Sequence, residues 1–257
     1  MGILQALYIK CNLCFKNAHG FALFALLFHL CFCPYSMAQT TQGVLSEWTA
    51  AAVVEDAEVE RFGIDSCFVS LPISDAIFSR MQGKSYKNGC TVPRENLRYL
   101  QVLHCNTDGK TQLGEMVCNA SIANDLLIIF RQLYDAGYKI ERMVLIDDYD
   151  ADDERSMTAN NTSCFNFRPI SGSDKLSKHS QGLAIDINPL YNPCLSLGTG
   201  KVEPSAGKQY AIERAKITDT KVPLINKKDL CYQLFKEHGF KWGGNWMSKK
   251  DYQHFEK

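Results

Sequence analysis

Hydrophobic and polar positions change period several times along the chain, and each change marks an element. Ser121 to Ala136 carries Ile122, Leu126, Ile129, Phe130 and Leu133 at helical spacing and stops at Gly137, which predicts an amphipathic helix with a glycine terminator. A second helix is expected over Lys228–His238, closed by Gly239, and a shorter one over Ile73–Met81. Tyr99–His104 alternates as a strand, Asn106-Thr-Asp-Gly109 reads as a turn, and Glu115–Cys118 is its expected hairpin partner. Tyr138–Ile146 reads as a further strand. The acidic and amide-rich stretch Asp147–Asn161 suits a loop over a site, and Trp242-Gly-Gly-Asn-Trp246 a tight turn. This order of elements predicts an α+β fold, a small antiparallel sheet flanked by helices, rather than a doubly wound parallel sheet.

Alternation is most informative after Gly182. Leu183, Ile185 and Ile187 fall on one side of an extended strand, and Ala184, Asp186 and Asn188 on the other. One face is core and the other offers a carboxylate, with only the small Ala184 between Gly182 and Asp186 on that side. This leaves room for a metal beside His179. A catalytic zinc usually takes three protein ligands and keeps one position open. His254, in the closing stretch Asp251-Tyr-Gln-His-Phe-Glu256, is the natural third.

The beginning of the chain has a different character. Residues 1–38 contain no acidic residue and two lysines, Lys10 and Lys16, then an apolar run from Phe21 to Cys33 and a closing Ser36-Met-Ala38. This is the pattern of a secretory signal peptide cut after Ala38. No segment has the ~20 apolar residues of a membrane span. Residues 39–64 form a polar, alanine-rich lead-in, mobile or forming one helix, and residues 65–257 a single folded domain. About 200 residues suffice to bury a sizeable core as one unit.

Removing the leader takes the 28 basic residues to 26 against 28 acidic ones, with no basic stripe. Nucleic acid is therefore not an expected partner. Seven cysteines remain: Cys67, Cys90, Cys105, Cys118, Cys164, Cys194 and Cys231. In an oxidising compartment they allow up to three disulfides and an odd thiol. A Cys164–Cys194 bridge beside the site is one candidate pairing. No Cys-x-x-Cys pair survives beyond the leader, so a thiolate zinc site is not expected. Among the four histidines that remain, His104 in a strand and His238 before a helix-ending glycine are assigned structural roles. Three apparent glycosylation acceptors, Asn119, Asn160 and Asn161, belong to a three-residue pattern that matches often by chance.

Three motifs in order carry a family resemblance. Ser177-Lys-His179-Ser-Gln-Gly182-Leu-Ala184-Ile-Asp186-Ile resembles the Ser-x-His-x-x-Gly-x-Ala-x-Asp signature of zinc peptidases that cut bacterial cell-wall peptides. These include D-Ala-D-Ala carboxypeptidases and dipeptidases of the VanY and VanX type and L-alanyl-D-glutamate endopeptidases. Gly239-Phe-Lys-Trp242-Gly-Gly-Asn-Trp246 followed by Asp251-Tyr-Gln-His254-Phe-Glu is similar to the second half of that pattern, and Asn160 to Arg168 to the place where the family carries an arginine. The likeness covers roughly Leu126 to the C-terminus and leaves Asp65–Cys118 unexplained. The same zinc architecture resembles the signalling domain of Hedgehog proteins.

The resemblance implies one Zn2+ per chain, held by His179, Asp186 and His254, with water in the fourth place as the nucleophile. It implies Asp251 as the proton carrier and Arg168 as the charge that stabilises the transition state. Ser177, Trp242 and Trp246 are the expected substrate-binding residues. Trp242 and Trp246 serve equally well as core packing. The insert Thr199–Thr220 stands between the two halves of the metal motif, where it can wall the site. The implied function is a secreted, periplasmic or cell-envelope zinc metallopeptidase acting on peptidoglycan stem peptides, as a D-Ala-D-Ala carboxypeptidase or an L-Ala-D-Glu endopeptidase. The alternatives are non-catalytic: a zinc-containing signalling module, or a protein that binds wall fragments without cutting them. A purely structural zinc requires neither Asp251 nor Arg168.

Overall fold

A computed structural model describes residues 47–170 and 172–257. The leader and the first part of the lead-in lie outside the described residues. The architecture is α+β, with three separate three-stranded antiparallel sheets in place of the single small sheet expected.

The first sheet places β1 (Val69–Pro72) beside a long hairpin of β2 (Leu97–Cys105) and β3 (Thr111–Asn119). The hairpin turn forms because the Asn106 carboxamide accepts from the backbone of Asp108 and Lys110, while Gly109 takes a φ of 81°. Both strands are longer than their alternation predicted because both faces of the hairpin are covered. Leu100, Val102, Met116 and Cys118 pack towards the helix Ala120–Asp135, whereas Leu97, Tyr99 and Val117 pack on the other side against Met81 and Phe165. A strand buried on two faces loses its polar alternation.

Helix Ala120–Asp135 begins where Asn119 caps it through Ser121 and ends before Gly137 at a φ of 64°. It buries Ile122, Leu126, Ile129, Phe130 and Leu133, each a burial that contributes about 1.5–3 kcal/mol of transfer free energy. Helix Leu230–Glu237, capped by Asp229, packs against it. Phe235 from this second helix stacks on Phe255 at 4.3 Å between ring centres. This stack joins the helical layer to the strand that carries His254.

Two expectations need correction, and a third gains detail. The lead-in, where described, carries helix Asp56–Phe62 and also docks on the first sheet ahead of it: Trp48 is buried, its indole donating to the Gly114 carbonyl at 3.1 Å, and Ala51 and Val54 donate to β3 backbone. Tyr138–Ile146 is not a ladder strand. It makes isolated bridges from Lys139 to Cys105 and from Arg142 to Asn161, then turns into a 3-10 segment at Ile146–Tyr149. Asp147–Asn161 is not all loop, because the Asp152 carboxylate accepts from Arg155 and nucleates helix Asp153–Thr158.

The seven described cysteines are free thiols. The bridges that the cysteine count allowed, Cys164–Cys194 included, are not formed: Cys164 faces the core with Sγ donating to the Gly182 carbonyl, while Cys194 lies on a strand next to Asp251. Among the described residues, no helix is long and apolar enough to cross a membrane.

Candidate metal centre and cleft

Two of the small sheets meet at the site. Strand β4 (Ala184–Asp186) pairs with β9 (His254–Glu256), which also pairs with β7 (Lys241–Trp242). Strand β8 (Lys249–Asp251) pairs with β5 (Cys194–Ser196), which also pairs with β6 (Val202–Glu203). The chain passes from β8 to β9 through Tyr252 and Gln253, so Asp251 and His254 stand at adjoining strand ends. Gly243 makes this junction possible. A Cβ there would lie 2.7 Å from the Asp251 carbonyl and 3.2 Å from the His254 Cβ.

His179 comes from a 3-10 turn, Lys178–Gln181, whose start is capped by the Ser177 hydroxyl and whose end is Gly182 at a φ of 67°. The turn leans on the first sheet: Asn119 donates its backbone N–H to the Gly182 carbonyl at 2.9 Å. A Cβ on Gly182 would come within 2.7 Å of that same nitrogen.

His179, Asp186 and His254 converge, all buried. His179 Nε2 lies 3.3 Å from His254 Nδ1 and 3.2 Å from one Asp186 oxygen, and His254 Nδ1 lies 3.1 Å from the other. Donors on a tetrahedral ion at about 2.0–2.2 Å stand roughly 3.3–3.6 Å apart. The triangle therefore has the size, and the donors have the chemistry, of a two-imidazole, one-carboxylate metal site. His179 Nδ1 donates to the Cys164 carbonyl at 2.6 Å, which leaves Nε2 as its free donor atom.

The three groups are electrostatically linked. Burial opposes ionisation of Asp186, yet the neighbouring imidazoles hold its carboxyl far below the ordinary carboxylate range. Burial likewise disfavours charge on His254, but hydrogen bonds to Asp186 and Glu256 outweigh it and push its pKa up to about 10.

A cleft of about 820 Å³ opens over the triplet. Asp251 faces into it, buried, with one carboxylate oxygen 3.3 Å from Lys249 Nζ and the other 3.4 Å from Gln253 Nε2. Trp246 lines the cleft with its ring 5.1 Å from that of His254, and Lys249 Nζ sits 4.7 Å above the same indole. Arg168 also borders the cleft, its guanidinium paired with Asp153 and its backbone tied to the Ser180 hydroxyl. Ser177 reaches the cleft wall while it caps the His179 turn.

One expected substrate contact is misplaced. Trp242 is a core residue: its indole donates to the Tyr252 carbonyl at 2.9 Å and meets Tyr232 edge-on at 5.2 Å, outside the cleft lining. Of the insert Thr199–Thr220, only Thr199, Lys201 and Glu203 line the cleft. Its Arg214 turns inward, stacks on Tyr252 at 4.2 Å and donates to backbone and to Asn192. Lys249, Gln253 and Glu256 were not singled out from sequence. Their signal was the period-two spacing around Asp251 and His254.

Residues 171–257 match the family model described as D-alanyl-D-alanine carboxypeptidase. This segment is similar to that peptidase family. It holds His179, Asp186, Asp251 and His254 and begins after Arg168, so the matched segment contributes every member of the candidate metal triplet. It covers about a third of the chain, and the long hairpin that buttresses Gly182 lies outside it. Comparison with curated proteins and with solved structures gives no match.

Proposed function

We propose that the chain is a zinc metallopeptidase that hydrolyses peptidoglycan stem peptides, working in the cell envelope or outside the cell. The observation that carries this reading is the placement of a second buried carboxylate, Asp251, in the cleft over the His179–Asp186–His254 triplet. A purely structural metal site has no use for it. Zinc held by these three side chains supplies Lewis-acid activation of water and of a peptide carbonyl.

The chain's own residues supply the rest. Asp251 takes a proton from the attacking water and returns it to the leaving amine, a role that demands a fixed carboxylate in the cleft. Lys249 and Gln253 face its two oxygens and restrict its rotation. Arg168 adds positive charge at the cleft border, where negative charge develops on the carbonyl oxygen. Its pairing with Asp153 holds the guanidinium in place. Trp246 offers a flat apolar wall to the peptide. In this reading Ser177 acts through the His179 turn that it caps.

The test is incubation of the purified chain with wall-derived peptides before chelation, after chelation and after zinc is restored, with products read by mass. Cleavage that disappears with the chelator and returns with zinc supports the peptidase. Peptides unchanged at saturating zinc contradict it and favour a non-catalytic zinc module. Loss of a terminal D-alanine identifies a carboxypeptidase, and an internal cut an endopeptidase.

A further inference from the structure

We propose that Glu256 is the outer carboxylate that sets the ring of His254, so that His254 offers Nδ1 to the metal while His179 offers Nε2. The inference rests on the zinc reading above and assigns a positioning role to a residue outside the candidate ligand triplet.

A neutral imidazole carries one N–H and one lone pair, and the partner of one nitrogen decides what the other can do. On His254 the nitrogen that faces His179 and Asp186 is Nδ1. The opposite nitrogen, Nε2, lies 3.3 Å from Glu256 Oε2. An ionised carboxylate only accepts hydrogen bonds, so the contact with Glu256 keeps a proton on Nε2, and Nδ1, which faces the Asp186 carboxylate at 3.1 Å, is the nitrogen that would exchange its proton for a metal. His179 is held by the same logic with the atoms exchanged. Its Nδ1 donates to the Cys164 carbonyl and its Nε2 faces inward.

The backbone makes Glu256 a dependable partner. His254 and Glu256 are two residues apart on β9, so both side chains leave the same face of the strand. Strand β9 is the middle strand of its sheet, with Glu256 opposite Ala184 on one side and Lys241 on the other. The side chain opposite on β4 is thus a methyl, too small to displace the carboxylate. The strand backbone thus presents Glu256 beside His254.

Outer partners of metal-ligating histidines typically account for about 10–100-fold in metal affinity. Glu256→Ala and Glu256→Gln are compared with the parent by chelator competition for zinc, with thermal melting of the metal-free proteins as a folding control. The expected result is about 10–100-fold weaker zinc binding for Glu256→Ala and recovery of most of that loss in Glu256→Gln, which keeps an oxygen acceptor. Long-range proton–nitrogen spectra of the zinc-loaded parent need no variant. They should show His254 protonated at Nε2 and metallated at Nδ1, and His179 the reverse.

Zinc affinities within twofold of the parent for both variants, or His254 metallated through Nε2, would overturn the proposal. A parent that binds one zinc but cuts no peptide contradicts the proposed function and leaves this assignment standing. A parent that binds no zinc overturns both.

Discussion

Asp186 and His254 are direct cross-strand partners in the β4–β9 pair. Facing positions on an antiparallel pair share a side of the sheet, and a slip of one residue would send one of the two into the core. The closeness of Asp186 to His254 is therefore a consequence of strand register, and His179 is brought to them by a separate turn. His179→Ala should remove one of three ligands without disturbing that register. Its expected zinc content is below one per chain at equimolar metal, with an unchanged circular dichroism spectrum. Equal zinc in variant and parent would remove His179 from the ligand set.

Gly182 closes the His179 turn in a left-handed conformation, against the backbone of Asn119. Gly182→Ala faces both a steric clash and an unfavourable φ, which together should cost on the order of 1–3 kcal/mol. The expected outcome is a lower melting temperature together with weaker zinc binding, because the turn that moves carries a ligand. A variant that melts and binds like the parent would show that the hairpin does not support the site.

His104 gives the fold a pH dependence separate from the metal. It is buried on β2, its Nδ1 shares a hydrogen bond with the Ile140 carbonyl at 2.7 Å, and burial lowers its pKa from 6.5 to about 4. Between these two values the unfolded chain binds more protons than the folded one, so stability falls as pH drops from 6.5 towards 4. The lowered value corresponds to about 3 kcal/mol, present at neutral pH and lost on acidification. Denaturant unfolding of the zinc-loaded protein at pH 7 and pH 4.5, alongside His104→Gln, measures it. The variant should lose less stability than the parent between the two pH values, and equal losses would exclude His104 as a source.

The convergence of the candidate site residues could be read from spacing, because side chains that leave one face of a short strand recur at a period of two. The alternation after Gly182 separated Asp186 from the core face, and Asp251 precedes His254 at the interval that a strand junction imposes. Trp242 and Trp246 were harder: flanking the same Gly-Gly-Asn turn, they look alike in sequence, and only the Tyr252 carbonyl and the Tyr232 ring show that Trp242 turns inward. Tyr138–Ile146 has a strand's pattern but lacks a continuous partner, which local sequence does not encode. The helix at Asp153–Thr158 was obscured by the acidic run, in which one member, Asp152, is a cap. The role of Trp48 depends on Gly114, 66 residues away, and no local period signals that contact.

The central claim is that Asp251 moves a proton in a zinc peptidase site while holding no metal itself. It is tested most directly by the rate of peptide cleavage in the parent and in Asp251→Ala at equal, saturating zinc content. The account predicts the same zinc stoichiometry in both proteins and a cleavage rate lower by about 10²–10⁴-fold in the variant. Equal rates at equal zinc content would contradict it.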